Sequence, residues 1–313
     1  MRRSDSGLLF SATDLMNYVG CPHATFLDLH SSPEQMATGE LDEEQDLLKQ
    51  KGLEHERRHL QSLITSGISV KTVATDLPLD REVEETLAAI RRGEEVIYQA
   101  TLLRTPWHGY IDFLERVATP SALGSFSYEI TDTKLAHSPK PKYLVQLCVY
   151  GYLLEAIQGC APRNIHIVLG TGERVSFRFA DFIHYVALAR ERFMEYAACP
   201  PEGSRADPCN YCAECRWSEH CQKEWELADH LWLVANIQRT QIRKLNDAGV
   251  STVHALAATP DKFTVPHIGP ETLARLRSQA KLQVERKDTG KNICEVLPVE
   301  AAKGFCRLLL LTT

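Results

Sequence analysis

Residues 96–179 read as three β-rich segments, one long helix and two further β-rich segments, and this order limits the fold more than any other feature of the chain. Val96–Leu103 is rich in strand formers, Trp107–Val117 carries alternating apolar residues, and Ser125–Thr133 is a third strand. Proline, glycine and serine punctuate the interval between the last two. After Pro139 and Pro141, Tyr143–Gln158 has the pattern of a strong helix, stopped by Gly159. Asn164–Leu169 and Arg174–Phe179 predict a hairpin around Gly170-Thr171-Gly172, and Asp181–Ala198 a further helix. Strands interleaved with helices in this way predict an α/β domain with a mixed central sheet flanked by helices.

The flanks are helical. Ser11 with Asp14 three positions on makes a helix start, and the helix should run to about Tyr18. Cys21-Pro22 breaks it and a second short helix begins. Residues 30–40 read as a loop. From Leu41 to about Ser66 the apolar residues Leu47, Leu48, Leu60, Leu63 and Ile64 recur at helical spacing, ended by Gly67. Residues 199–208 are a linker by composition. Residues 227–286 are helical in pattern throughout, with breaks at Gly249 and Gly269. The expected organisation is a domain over 1–226 that includes a cysteine cluster, a helical domain over 227–290, and a tail over 291–313.

A chain of 313 residues can bury one large core and a smaller one. The net charge of −6 argues against a dedicated non-specific DNA-coating protein, yet leaves room for a local basic groove. No apolar run reaches the ~18–20 residues that span a bilayer. Arg2-Arg3 is followed by Ser4-Asp5-Ser6 instead of an apolar stretch, so no signal peptide is read and a cytoplasmic chain is expected. In that reducing compartment the ten cysteines suit metal binding or core packing better than disulfides.

Asp112 sits mid-strand in Gly109-Tyr110-Ile111-Asp112-Phe113, flanked by apolar residues. About twenty residues on comes Glu129-Ile130-Thr131-Asp132-Thr133-Lys134. Strand periodicity puts Asp132 and Lys134 on one face and Glu129 on the other. Two acids on neighbouring strands beside a lysine can hold a hard divalent cation, Mg²⁺ or Mn²⁺, together with a phosphate. Such a cation activates water and offsets phosphate charge, and the lysine adds to that stabilisation. Gln146 and Tyr150 share a helix face, and His55 could serve as a further ligand. Each residue alone has a plainer explanation. Asp-x-Lys is usually a solvated strand edge, Asp112 a turn or satisfied acid, His55 a surface histidine, and Gln146 and Tyr150 helix packing. Glu56 is read as solvated.

The ordered series His55, Asp112, Asp132-x-Lys134, Gln146-x-x-x-Tyr150 resembles the motifs of the RecB branch of the PD-(D/E)XK nuclease superfamily, over residues 8–300. The phrases Ser11–Leu15, Gly52–Glu56, Asp132–Ala136 and Gln146–Cys148 resemble a bacterial group of RecB-like nucleases. The resemblance implies a restriction-endonuclease-like fold and a metal-dependent nuclease hydrolysing DNA phosphodiester bonds. Single-stranded DNA or duplex ends would be the substrates, in DNA repair or processing. It makes His55, Asp112 and Asp132 the Mg²⁺ or Mn²⁺ ligands, and Asp112, Asp132 and Lys134 the catalytic set. Gln146 and Tyr150 would position DNA. In such proteins the nuclease module is often followed by a second nuclease-like domain and a helicase, so a helicase domain or protein is an implied partner. Leu297–Phe305 resembles that junction, whereas the residues after Arg307 depart from it, as in a truncated, frameshifted or solitary form.

The cysteines Cys209-x2-Cys212-x2-Cys215-x5-Cys221 could hold zinc or an iron–sulfur cluster, and local spacing does not decide between them. In several RecB-type nucleases one N-terminal cysteine and a C-terminal Cys-x2-Cys-x5-Cys hold a [4Fe–4S] cluster. That resemblance implies Cys21, Cys212, Cys215 and Cys221 as ligands, Cys209 spare, and a clasp closing a long loop around the catalytic fold. Cys148, Cys160, Cys199, Cys294 and Cys306 read as ordinary thiols.

Ile242–Leu256, turning at Gly249, and Pro266–Thr272 resemble helix-hairpin-helix modules, which bind DNA phosphate through backbone N–H groups. Arg239, Arg243, Lys244, Arg275, Arg277 and Lys281 fit that use. The competing expectation from another class is a non-catalytic DNA-binding or scaffold module with a structural zinc.

Overall fold

The computed structural model describes residues 1–4, 7–31 and 43–294. Cys306 and most of the expected tail lie outside them. The chain divides into two compact units, Met1–Arg205 with Cys209–Tyr211, and Ala206–Pro208 with Cys212–Thr313.

The first unit opens with a short hairpin of β1 (Arg2–Ser4) and β2 (Gly7–Leu9). Helices α1 (Ala12–Gly20), α2 (Pro22–His30) and α3 (Glu43–Thr65) follow. The predicted cap of α1 is present: Asp14 Oδ2 accepts from Ser11 N at 2.8 Å, and Asp14 N donates to Ser11 Oγ at 3.4 Å. Next come β3 (Val70–Thr72), α4 (Leu79–Arg92), β4 (Val96–Arg104), β5 (Trp107–Val117) and β6 (Ser127–Lys134). Then follow α5 (Pro141–Gln158), β7 (Asn164–Leu169), β8 (Arg174–Arg178) and α6 (Ile183–Ala198).

Strands β3 to β8 form one six-stranded mixed sheet in chain order, flanked by helices. Short connections make β4, β5 and β6 an antiparallel meander. The long crossover through α5 returns the chain parallel to β6 as β7, and β8 closes that edge as the expected hairpin. At the other edge β3 lies parallel to β4.

The core is the contact between α5 and the sheet, with Leu147 and Leu154 of the helix buried together with Ile111, Leu114 and Ile130 of the meander and Ile165 of β7. Each such side chain contributes about 1.5–3 kcal/mol. Gly109 on β5 lets the helix come this close. A Cβ there would stand 2.7 Å from the Tyr150 ring, so a larger residue would push α5 away from the strand it must reach.

The second unit holds α7 (Ser218–Leu227), α8 (Arg239–Asp247), α9 (Val253–Ala257) and α10 (Pro270–Thr289). Its separate core gathers Leu231, Leu245, Leu256, Leu273 and Ala280. The helical pattern expected over 227–286, with breaks at Gly249 and Gly269, is broken more often than those two glycines suggest, because residues 258–269 are not helical. Gly249, at φ 80°, turns α8 toward α9. No helix among the described residues is long and apolar enough to cross a membrane.

Candidate metal and phosphate site

Strands β5 and β6 pair from Val117↔Ser127 to Phe113↔Thr131, and there the ladder stops. The next residues in register are Asp112 and Asp132. Instead of a further backbone pair, Asp112 Oδ2 accepts from Thr133 N at 2.8 Å and from Thr133 Oγ1 at 2.9 Å. The ladder thus ends where the two acids stand, and the Asp112 carboxylate takes over its hydrogen bond.

Asp132 is only 1% exposed. Burial, with the Asp112 charge beside it, raises its carboxyl to about 7, although Lys134 pulls the other way. The Lys134 ammonium stands 2.5 Å from Asp132 Oδ2. Beyond that ion contact, this buried oxygen has no hydrogen-bond donor among the described residues. Burial alone would lower the Lys134 pKa, but the carboxylates of Asp132 and Asp112 outweigh it and hold the ammonium charged. The Tyr143 ring lies 5.5 Å from that ammonium. The expected shared face of Asp132 and Lys134 is therefore present.

Glu56 corrects the sequence reading. It is buried rather than solvated, at 8% exposure. Burial and the Asp112 charge raise its pKa, while hydrogen bonds with Tyr98 and Gln99 act against them. Gln99 Nε2 donates to Glu56 Oε1. Gln99 stands on β4 opposite Asp112, between the pairs Tyr98↔Phe113 and Ala100↔Ile111. Its φ of 58° is left-handed, a conformation uncommon for any residue but glycine.

Helix α3 meets this site with polar side chains. His55 and Glu56 are buried, whereas Leu47, Leu48 and Ile64 of the expected apolar stripe are exposed. His55 Nε2 lies 3.2 Å from the Val168 carbonyl oxygen. With the proton on Nε2 it donates there, and Nδ1 keeps its lone pair. His59, which the sequence did not single out, sets its ring edge-on to Phe113 at 4.9 Å. Among the described residues its buried Nε2 has no hydrogen-bond partner, and burial lowers its pKa.

Glu129 belongs to a different network, as its strand position predicts. It accepts from Asn164 N at 2.9 Å and pairs with His166 Nε2 at 2.9 Å. Burial would raise its pKa, but these bonds hold it down. Gln146 Nε2 donates to the Tyr150 hydroxyl at 2.8 Å. Tyr150 itself is buried against Gly109, so Gln146 is the more accessible of the two.

Among the described residues, no three His, Cys, Asp or Glu side chains converge closely enough to form a ready ligand set. His55, Asp112 and Asp132 are thus brought to one region without being closed on one another. Their chemistry still suits a hard cation. Burial and the Asp112 charge raise the pKa of Asp132, and among the described residues its enclosed Oδ2 faces the Lys134 ammonium.

Of the cysteines, Cys21 meets Cys209 in the first unit: the two thiols hydrogen-bond, and burial raises Cys21 to about 11. Cys209, spare in the expected ligand set, also donates to the Gly20 carbonyl at 3.6 Å. Cys212, Cys215 and Cys221 belong to the second unit. There Cys215 N donates to the Cys212 carbonyl at 3.3 Å, and Cys221 N to that of Trp217 at 2.9 Å. Cys148 is a buried core thiol, raised to about 12 by burial.

In the second unit Arg239, Arg243, Arg275 and Lys281 are exposed. Two of the expected DNA-facing cations are engaged internally. Arg277 is buried, with Nη1 donating to the Pro260 carbonyl at 2.6 Å and Nη2 paired with Asp261 at 3.1 Å. Lys244 donates to the His267 carbonyl at 2.7 Å.

No protein-family model matches the chain, and no curated protein matches it.

Proposed function

We propose that the first unit is a Mg²⁺- or Mn²⁺-dependent nuclease of the RecB-like PD-(D/E)XK type, hydrolysing DNA phosphodiester bonds. The observation that carries this reading is the cluster of Asp112, Asp132 and Lys134 at the end of the β5–β6 ladder. Asp112 and Asp132 would hold the cation, with His55 Nδ1 as a further donor. When bound, a divalent cation activates water and offsets phosphate charge.

The chain's own groups supply the rest. The charged Lys134 ammonium balances Asp132 in the free protein and is placed to stabilise an anionic phosphate. Gln146 is the DNA-positioning group of its helix, and Tyr150 fixes Gln146 through the hydroxyl contact. In the second unit the helix-hairpin-helix-like turn at Gly249 and the exposed Arg239, Arg243, Arg275 and Lys281 form the DNA-binding surface.

Thiolate donors in the set Cys21, Cys212, Cys215 and Cys221 fit a structural [4Fe–4S] cluster, with zinc as the rival occupant. Cys209, which meets Cys21 within the first unit, is a further thiol beside that N-terminal donor. A helicase domain or protein is the partner such a nuclease would serve in cytoplasmic DNA repair or processing.

The test is cleavage of labelled single-stranded and duplex DNA in Mn²⁺ and in Mg²⁺. The wild type should cut, and Asp132→Ala and Lys134→Ala should lose at least about a hundredfold in rate, the scale of removing one preorganised electrostatic group. Wild-type activity no greater than that of the two variants would leave a non-catalytic DNA-binding module.

A further inference from the structure

We infer that Glu56 supplies a third carboxylate charge to the cation site of Asp112 and Asp132, and that Gln99 is the positioning residue that aims it there. The inference rests on the cation-dependent reading of that site and extends it to Glu56, the last residue of the Gly52–Glu56 phrase, and to Gln99, neither of which is in the ordered series from His55 to Tyr150.

Three observations meet at this point. Glu56 is buried on a helix whose neighbouring residues Leu53, Glu54, Arg57 and Arg58 are exposed. A carboxylate turned inward on a charged helix needs a compensating charge or donors. Its donors come from β4: the Gln99 amide and the Tyr98 side chain both hydrogen-bond to it. The Asp112 charge acts on Glu56, and the charges of Asp112 and Glu56 both act on Asp132.

The second observation is the backbone of Gln99. A left-handed glutamine inside a strand, at φ 58°, costs on the order of 1–3 kcal/mol and persists only where its surroundings enforce it. Here the register puts the strained residue opposite Asp112, and its side chain ends on Glu56. A residue that only extended the ladder would have no use for that conformation.

The third is charge and the enclosed acceptor. Glu56, Asp112 and Asp132, when ionised, oppose the single ammonium of Lys134, leaving two negative charges for a divalent cation to neutralise. Asp132 Oδ2 is the unpartnered, fully enclosed oxygen of this group apart from its ion contact with Lys134. Oriented carboxylates with their own hydrogen-bond donors behind them are how proteins tune hard-cation sites, and loss of such support typically costs 10–100-fold in affinity.

The experiment is Mn²⁺ titration of the intact chain, read by the loss of the free-ion magnetic resonance signal, with thermal melts of the same metal-free samples. Glu56→Gln keeps shape and removes the charge. Gln99→Gly removes the amide and accepts positive φ without strain. Both should weaken Mn²⁺ binding at least about tenfold. Gln99→Gly should melt no lower than wild type, a split that a merely structural role would not produce. If both variants bind Mn²⁺ as wild type does while Asp132→Asn does not, the roles of Glu56 and Gln99 are overturned and the nuclease site stands. If wild type binds no Mn²⁺, both fall together.

Discussion

Asp132→Asn should stabilise the metal-free protein above neutral pH, although it removes the carboxylate in direct contact with Lys134. In the folded chain Asp132 keeps its proton to about pH 7, against an ordinary value of 3.8. Between those values the folded state binds the extra proton, so the contribution of Asp132 to stability falls as pH rises. A difference of about three pH units, at about 1.4 kcal/mol each, sets a ceiling near 4 kcal/mol on the cost of ionising Asp132 in the fold. Asparagine avoids that cost. It leaves Lys134 with the more distant carboxylates of Asp112 and Glu56, and that weaker pairing returns roughly half of the gain, so about 2 kcal/mol should remain at pH 8. For a unit of this size that is a rise of about 4–8 °C in melting temperature. The assay is a series of thermal melts of both proteins in chelator from pH 4 to pH 8.5. The gap should open as pH rises and close toward pH 4. Saturating Mn²⁺ should raise the melting temperature of the wild type and leave the variant unmoved. A variant less stable than wild type at pH 8, or a gap independent of pH, would refute the picture of a carboxylate cluster that Lys134 only partly compensates.

Other outcomes follow from the same geometry. Gly109→Ala drives a Cβ to within 2.7 Å of the Tyr150 ring, and should cost about 1–3 kcal/mol in a denaturant melt while disturbing the Gln146–Tyr150 pair and slowing DNA cleavage. Anaerobically purified protein should be brown, with broad absorption near ~400 nm. Cys21→Ala should remove that absorption and Cys209→Ala should keep it, whereas a colourless protein carrying one zinc per chain would assign the cysteines to zinc. Arg277→Ala should lower the stability of the second unit by about 1–3 kcal/mol, because it strips the Pro260 carbonyl and Asp261 of a buried partner; DNA affinity should respond instead to Arg239 and Arg243.

The meander, α5 and the β7–β8 hairpin were legible from sequence because their apolar residues follow strand and helix periods and because Gly159 stops α5 at the predicted place. Helix α4 was not legible. Its buried side includes Glu82 and Thr86, which are satisfied by Thr101 on β4, so the apolar period is interrupted by polar residues with tertiary partners. Strand β3 is three residues long and carries too little pattern to read. Helix α3 was located correctly, but its orientation was misjudged for a related reason: its inward face carries His55 and Glu56, while its leucines at 47 and 48 face outward. Residues whose placement conflicts with local rules are the ones local rules miss. Asp112, Asp132 and Lys134 were visible because acids are rare on apolar strands. Glu56 was hidden among the charges of its helix, and nothing in a glutamine announces a positive φ at Gln99.

The most direct test of the site is the position of Mn²⁺ located by anomalous X-ray scattering in crystals of the intact protein. The arrangement at the end of the β5–β6 ladder predicts a peak held by the carboxylates of Asp112 and Asp132, beside Lys134 and within reach of Glu56. Mn²⁺ bound elsewhere in crystals of protein that cleaves DNA, or no peak at these carboxylates under Mn²⁺ concentrations that support cleavage, would contradict it.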